Sequence, residues 1–167
     1  IATLSAEQLP GATGAIAGVV VDGSRSIGLL KATVSLFVGN RRVAIVSTDR
    51  EGRFSFAGLA PGMYSVTASS AGYSPSGFDA EEGLSSSRPI EVAAGQLTAG
   101  VTIRLWKFAV VTGVVRDQSG EPLPGLQVMA LKVVARGGRT SLVPANRART
   151  DDRGSYRVVD LEPSTYA

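Results

Sequence analysis

The sequence predicts an all-β protein made of two β-sandwich domains in tandem, the second incomplete. Three observations support this prediction: short segments in which apolar and polar residues alternate, frequent turn residues, and an internal repeat. The 20 glycines and 8 prolines supply turns, and Val, Ile, Thr and Ser fill the segments between them, as in β-rich chains. Hydrophobic residues make up 44% of the chain, enough to build cores.

The first domain is predicted to span residues 14–106, after a lead-in at 1–13 that shows no periodicity. In KATVSLFV at 31–38, apolar residues take every second position, which is the period of a half-buried strand. Short strands at this spacing are typical of a sandwich. Seven are predicted: 14–22, 31–38, 43–48, 53–56, 63–69, 88–93 and 99–106. Residues 70–87, between the fifth and the sixth, are predicted to form a long loop.

An internal repeat defines the second domain, 107–167. TGVVRD at 112–117 resembles AGVVVD at 17–22, and the block at 150–167 aligns without a gap with the block at 48–65. The second domain carries extra residues between these landmarks, which we assign to a loop in ARGGRTSLVPANR at 135–147. The second copy stops where its fifth strand begins. We therefore expect the natural chain to continue beyond Ala167, or another strand to complete the sandwich, because open edges and apolar faces would otherwise be exposed.

The repeated block is interpreted as a folding device. Asp49 can accept hydrogen bonds from the backbone two residues on, and Gly52 can take a positive φ. Leu59 and Pro61 turn the chain from one sheet to the other, and the Tyr64 hydroxyl can bond back to the turn, as in a tyrosine corner. The same roles are predicted for Asp151, Gly154, Leu161, Pro163 and Tyr166.

The composition excludes several kinds of chemistry. The chain has no Cys and no His, which removes thiol nucleophiles, imidazole bases, Cys/His zinc sites and disulfides. No apolar run is long enough to span a membrane, so direct membrane insertion is not predicted. The net charge of +3 is too small and too scattered to predict a nucleic-acid partner. We predict a chain that is not an enzyme and holds no cofactor or metal.

The motifs resemble the carboxypeptidase regulatory-like domain, a transthyretin-like β-sandwich related to Cna-B domains. They are a G-x-V-x-D strand, SGEPLPG, the T-D-x-x-G-x-[FY] hairpin and L-x-P-G-x-Y, and the resemblance covers 14–106 and 108–167. The chain departs from the pattern at SIGLLKA in the first copy and at Pro163-Ser164 in the second. The resemblance implies an accessory module of an extracellular, periplasmic or cell-surface bacterial protein. A fibronectin type III domain, favoured by LEPSTY alone, is disfavoured by the preceding hairpin.

Other readings of the same residues are weaker. Asp22, Asp49, Asp117, Asp151 and Asp152 end strands and contain carboxylates that calcium prefers, but turn formation explains them better. RGSY at 153–156 resembles the ending of hydroxyisourate hydrolases, which need histidines that are absent here. The Lys–Asn isopeptide bond of some Cna-B domains is not expected, because the two Asn residues, Asn40 and Asn146, fall in predicted loops.

Two segments are candidate contact surfaces. Tyr73 and Phe78, in the loop at 71–87, could stack on a sugar or a peptide, although rings of this size are more often packed on their own domain. An arginine-rich segment at 136–149 could meet an acidic glycan or lipid headgroup, although a solvated loop is the commoner outcome. We expect Trp106 to pack at the domain junction. The arginines are Arg136, Arg139, Arg147 and Arg149.

The predicted function is that of a non-catalytic spacer, scaffold or protein-interaction module. Its predicted partners are the other domains of the same polypeptide, with a protein or glycan at the cell surface as a further candidate. The alternative is a carbohydrate- or peptide-binding module that uses loop 71–87 or the arginine-rich segment.

Overall fold

Strands account for all the regular structure that a computed structural model describes, which covers residues 13–80, 87–136 and 138–167. The all-β prediction is confirmed. The strands are β1 (Gly14–Asp22), β2 (Thr33–Val38), β3 (Arg41–Ser47), β4 (Arg53–Leu59), β5 (Gly62–Ser69), β6 (Tyr73–Ser74), β7 (Ser76–Gly77), β8 (Ile90–Val92), β9 (Leu97–Lys107), β10 (Ala109–Val114), β11 (Gln127–Arg136), β12 (Arg139–Arg149) and β13 (Ser155–Leu161). The lead-in at 1–13 lies outside the described residues, except for Thr13.

The chain divides into two compact units. The first comprises the residues up to Ala71 and Pro75–Leu105, and the second comprises Gly72–Ser74 and Trp106–Ala167. In the part of the chain that is described, no helix is long and apolar enough to cross a membrane.

Two sheets form the first unit. One has the order β4-β1-β9, with β9 parallel to β1, and the other has the order β3-β2-β5-β7, with β8 also pairing with β5. Alternate residues of each strand face the core, as the period of two requires. The fully buried side chains include Ile16 and Val20 on β1, Val34 and Leu36 on β2, Val66 on β5, and Val101, Ile103 and Leu105 on β9.

A close approach of three strands explains the glycine inside β1. Gly18 pairs with Phe54 on one side and with Val101 on the other. A Cβ atom on Gly18 would lie 2.0 Å from the carbonyl oxygen of Val101 and 2.8 Å from the Phe54 ring. The aromatic ring therefore occupies the space that the missing side chain leaves in the sheet. The second unit repeats the arrangement with Gly113 and Tyr156.

As far as Ala167, the strands of the second unit pair in the same way as their counterparts in the first unit. β10 pairs with β13, β11 pairs with β12, and residues 165–167 pair with β11 through Leu131 and Val133. Its buried core is small: Val158 and Leu161 of β13 pack with Ala130 of β11, and Tyr156 and Tyr166 cover them partly. The position that β9 takes beside β1 in the first unit has no strand among the described residues beside β10.

Two predicted loops are wrong in part. Within 70–87, β6 pairs with β9, and β7 pairs with β5; two-residue strands are too short to show a period of two. The segment 135–147 completes a long hairpin instead, in which β11 and β12 pair from Gln127↔Arg149 to Arg136↔Arg139. Gly137 and Gly138 suggested a loop, whereas the strand register brings Arg136 opposite Arg139.

Gly18→Ala should destabilise the first unit more than Gly113→Ala destabilises the second. At Gly18 the new methyl group meets backbone that two strands hold in place, so we expect a loss of about 1–3 kcal/mol, as in overpacked cores. At Gly113 it meets the hydroxyl end of the Tyr156 side chain, which is only half-buried and can move. Urea denaturation of the two variants measures the difference. Equal losses would contradict the role of the β9 backbone.

Candidate functional site

The repeated block forms the same turn twice. In the first copy, Asp49 Oδ1 accepts the backbone N–H of Glu51 at 3.0 Å and that of Arg53 at 2.7 Å. Gly52 closes the turn with a φ of 77° and donates its N–H to the Asp49 carbonyl at 3.1 Å. A positive φ costs glycine little. The carboxylate is therefore engaged in shaping the hairpin between β3 and β4.

The second copy has the same bonds. Asp151 Oδ1 accepts the N–H of Arg153 at 2.9 Å and that of Ser155 at 2.8 Å. Gly154 has a φ of 69° and donates to the Asp151 carbonyl at 3.0 Å. Two segments 102 residues apart in the chain thus use each polar atom of the turn in the same way.

A buried threonine precedes each of these turns. Thr48 donates its hydroxyl to the Leu29 carbonyl and accepts the N–H of Ala32 at 2.9 Å. In the second copy, the Thr150 hydroxyl donates to the Leu123 carbonyl at 2.7 Å and accepts the N–H of Leu126 at 2.9 Å. This threonine is the first residue of the repeated block in both copies. Each one ties the end of the third strand to the segment that leads into the second.

The corner after β4 closes with a tyrosine in both copies. The Tyr64 hydroxyl donates to the Ala60 carbonyl at 2.8 Å, and the Tyr166 hydroxyl donates to the Glu162 carbonyl at 2.6 Å. Tyr64 is buried and Tyr166 is half-buried. Leu161 is buried, Leu59 and Pro163 are half-buried, and Pro61 is exposed.

The remaining strand-end aspartates also build turns. Asp22 Oδ1 accepts N–H groups from Ser24 and Arg25. Asp117 Oδ1 accepts the Ser119 hydroxyl at 2.7 Å and the N–H groups of Ser119 and Glu121. The Ser119 side-chain hydrogen bond, with those from the backbone, lowers the pKa of Asp117 below its ordinary 3.8. Across the described residues, no three acidic side chains come together in a way that could hold a metal.

The aromatic residues of 71–87 are tied to the sheets. Tyr73 lies on β6 opposite Lys107, whose ammonium sits 5.7 Å from the centre of the Tyr73 ring. Phe78 donates its N–H to the Val66 carbonyl at 3.0 Å and accepts the N–H of Arg88 at 2.8 Å. Both rings are half-buried. Trp106 is half-buried and pairs through its backbone with Ser74.

The four arginines do not form one cluster. Arg136 and Arg139 pair at the tip of the β11–β12 hairpin, and Arg149 pairs with Gln127 at its base. At about 3.3 Å per residue, the tip and the base lie roughly 30 Å apart. The arginines are therefore spread along the hairpin, because a strand separates residues that a compact loop would bring together. Asn146, also predicted in a loop, lies on β12 and donates Nδ2 to the Val159 carbonyl at 2.9 Å.

One small polar pocket in the second unit was missed from the sequence. It has a volume of about 310 Å³ and contains an ion pair at 3.1 Å between Lys132 Nζ and Glu162 Oε2. Tyr166 lines it, and burial raises the pKa of the Tyr166 hydroxyl. Lys132 corresponds to Val38 of the first unit, so the signal was a lysine in the middle of a β11 whose central residues are otherwise apolar.

Two clefts border β3 and β4 in the first unit. One, of about 530 Å³, is lined mainly by apolar residues and includes Arg41, Val43 and Met63. The other, of about 700 Å³, lies beside the Asp49 turn and includes Val46, Arg53 and Phe54. Neither cleft is lined by a residue that the sequence suggested as a contact candidate. The position of a strand at the edge of a sheet depends on the topology, which the sequence pattern does not show.

A family profile decides the classification. The profile of the carboxypeptidase regulatory-like domain matches residues 15–105 and again residues 110–167. The chain belongs to the carboxypeptidase regulatory-like domain family. The family resemblance predicted from the motifs is thus confirmed. A search of curated proteins gave no significant match.

Several solved structures are similar to these carboxypeptidase regulatory-like domains. The TIE protein of Bacillus anthracis has 19% identity and a TM-score of 0.46 over 93% of this chain and 27% of its own. A streptococcal ancillary pilin has 16% identity and a TM-score of 0.49 over 92% and 52%. The minor pilin GBS52 of Streptococcus agalactiae has 12% identity and a TM-score of 0.47 over 89% and 79%. The chain thus spans about a quarter of the first protein and half of the second.

Tyr64→Phe should cost more stability than Tyr166→Phe. Each change removes one hydroxyl bond to the corner, which is typically worth about 0.5–1.5 kcal/mol. Water can replace the bond at the half-buried Tyr166 but not at the buried Tyr64. The free energies of unfolding of the two variants, from urea titration, provide the measurement. A neutral Tyr64→Phe would show that the corner bond does not stabilise the unit.

Asp117 should titrate below its ordinary range, and Ser119→Ala should move its pKa back up. The variant removes the hydrogen bond that lowers this pKa most. Because the pKa is lower in the folded than in the unfolded chain, this stabilisation is present above the unfolded value and is lost as pH falls through the folded one. The carboxyl carbon shift of Asp117, followed by NMR from neutral to acid pH, measures both values. Ser141→Ala, on β12, is the control and should leave them unchanged.

Proposed function

We propose that this chain is a non-catalytic structural module of a larger exported bacterial protein, in which it serves as a scaffold for protein interaction. The observation that supports this most is the repeated corner. The Asp49 and Asp151 carboxylates, the Thr48 and Thr150 hydroxyls and the two corner tyrosines bond to their own backbone in both copies.

Catalysis by these residue types needs a nucleophile or base that is free to reach a substrate. In the repeated block, Asp49 Oδ1 already accepts two backbone N–H groups, and Thr48 is buried with its hydroxyl both donating and accepting. Polar groups used in this way hold a hairpin in place. The same use in two copies supports a role in building and repeating a sandwich.

Family membership supports a proposal for the location and the partners. Carboxypeptidase regulatory-like domains occur as accessory modules, and we propose an extracellular, periplasmic or cell-surface location for this one. Its partners would be the neighbouring domains of its polypeptide and a protein at the cell surface.

Binding of a glycan or a peptide by the 71–87 segment is the second candidate. The half-burial of Tyr73 and Phe78 supports it, since part of each ring stays accessible for stacking. Arg139, Arg147 and Arg149 are exposed along β12, and would offer separate contacts to an acidic glycan.

Replacing the chain within its parent protein tests the proposal. An unrelated β-sandwich tandem of similar length should preserve export and surface presentation, because a structural module contributes folded bulk and spacing. Flow cytometry of intact cells with an antibody to a neighbouring domain measures presentation. A deletion of the same residues is the matched control and should reduce it. Loss of an enzymatic activity of the parent protein on replacement, with presentation intact, would contradict a non-catalytic role.

A further inference from the structure

We propose that the free edge of β3 in the first unit binds an extended acidic peptide segment, whose apolar side chains enter the cleft beside Val43 and Met63. This proposal rests on the scaffold role proposed above. It extends that role by naming the surface and the chemistry of the partner.

The backbone of β3 is unpaired along one side. β3 is the terminal strand of the β3-β2-β5-β7 sheet, and its register from Thr33↔Ser47 to Val38↔Arg41 uses only the side that faces β2. Along the other side, alternate N–H and C=O groups have no ladder partner among the described residues. A row of such groups is a template for another strand, and addition of a peptide strand is a common recognition mode.

In the second unit, one side chain bridges the corresponding side, although β12 is also a terminal strand. There, Asn146 on β12 donates its Nδ2 to the Val159 carbonyl on β13 at 2.9 Å. On β3, Ala44 takes the register position of Asn146 and has only a methyl group. Among the described residues, no hydrogen bond joins β3 to β4 apart from those of the Asp49 turn. The terminal edge is therefore common to the two copies, and the side-chain bridge across it is present in the second copy but not in the first.

An apolar cleft adjoins this edge. Its volume is about 530 Å³, and its lining runs from Val38 and Val43 to Leu59 and Met63. Val38 is 43% exposed, Val43 39% and Met63 54%. Exposed apolar side chains that line one cleft mark interaction sites more often than scattered ones do.

The charge of the edge selects an acidic partner. Arg41 and Arg42 begin β3 and are exposed, and Arg53 is exposed at the start of β4. Within the described residues, none of these three side chains makes an ion pair or a hydrogen bond. Of the described residues that line the 530 Å³ cleft, Arg41 alone is charged. A carboxylate beside an apolar residue would complement this arrangement.

A second copy of the same strand is a poorer occupant. β3 carries two arginines and no acidic residue, so a copy would bring no carboxylate to Arg41. The 7 residues of β3 extend over roughly 23 Å, so a bound peptide strand of the same length would cover the whole edge. The chemistry that fits is a peptide in which acidic and apolar residues alternate.

Titration of the labelled chain with peptides tests the proposal. The probe is an amidated peptide of alternating glutamate and valine, as long as β3, and the matched control peptide has lysine in place of glutamate. Amide NMR signals should shift at Arg41–Ser47 and at the cleft residues with the glutamate peptide only. Arg41→Glu/Arg42→Glu should weaken binding by about tenfold or more, and added salt should weaken it as well.

A charge-matched variant separates a local effect from a general one. Arg153→Glu/Arg157→Glu changes the net charge equally on exposed positions of the second unit and should bind as the unchanged chain does. Shifts at another surface, equal binding of both peptides, or equal loss in both variants would overturn the proposal. Concentration-dependent dimerisation through β3, seen by sedimentation, would overturn it in favour of a second copy. Such results leave the replacement experiment on the parent protein unaffected, so the two proposals fail separately.

Discussion

The first sandwich depends on the two hydrogen bonds that the Thr48 hydroxyl makes. The hydroxyl donates to the backbone carbonyl of Leu29 and accepts the backbone N–H of Ala32, both in the segment between β1 and β2. A buried hydroxyl without both bonds would be costly. Because both bonds are made, the segment after β1 is fixed against the end of β3. That contact sets where β2 begins and where the Asp49 turn leads into β4. Thr150 repeats it, so the second unit holds the same course with a far smaller core.

The two copies show which parts of this design are separable. Their turns and corners agree bond by bond, yet Tyr156 stands where Phe54 fills the first core, and Lys132 stands where Val38 lies. The second unit has three buried core residues in its main cluster, whereas the first buries side chains on six strands. The turn hydrogen bonds are therefore kept in the unit with the smaller buried core. This indicates that the residues of the turn themselves specify its conformation.

Much of the fold could be predicted because its signals are local. The alternation at 31–38 and 99–106, the Asp–Gly turns and the tyrosine corners each depend on a few neighbouring residues. β6 and β7 could not be predicted, since two residues show no period and their pairing is set by distant strands. The β12 half of the β11–β12 hairpin could not be predicted, because Gly137, Gly138 and Pro144 resemble loop residues. The β3 edge could not be predicted for a different reason. Met63 is distant in the sequence from Arg41 and Val43, and the three line one cleft because of the strand order.

The parallel pairing of β1 and β9 determines how the first unit responds to tension. These strands are the first and last of that unit, and they run side by side from Ala15↔Leu97 to Asp22↔Leu105. A force that pulls on the start of β1 and on the end of β9 acts along both strands in opposite directions. It loads their hydrogen bonds in shear, so that they resist together, whereas a hairpin pulled at its ends opens one bond at a time. The resistance of the first unit to extension between these two points is therefore set by this one ladder.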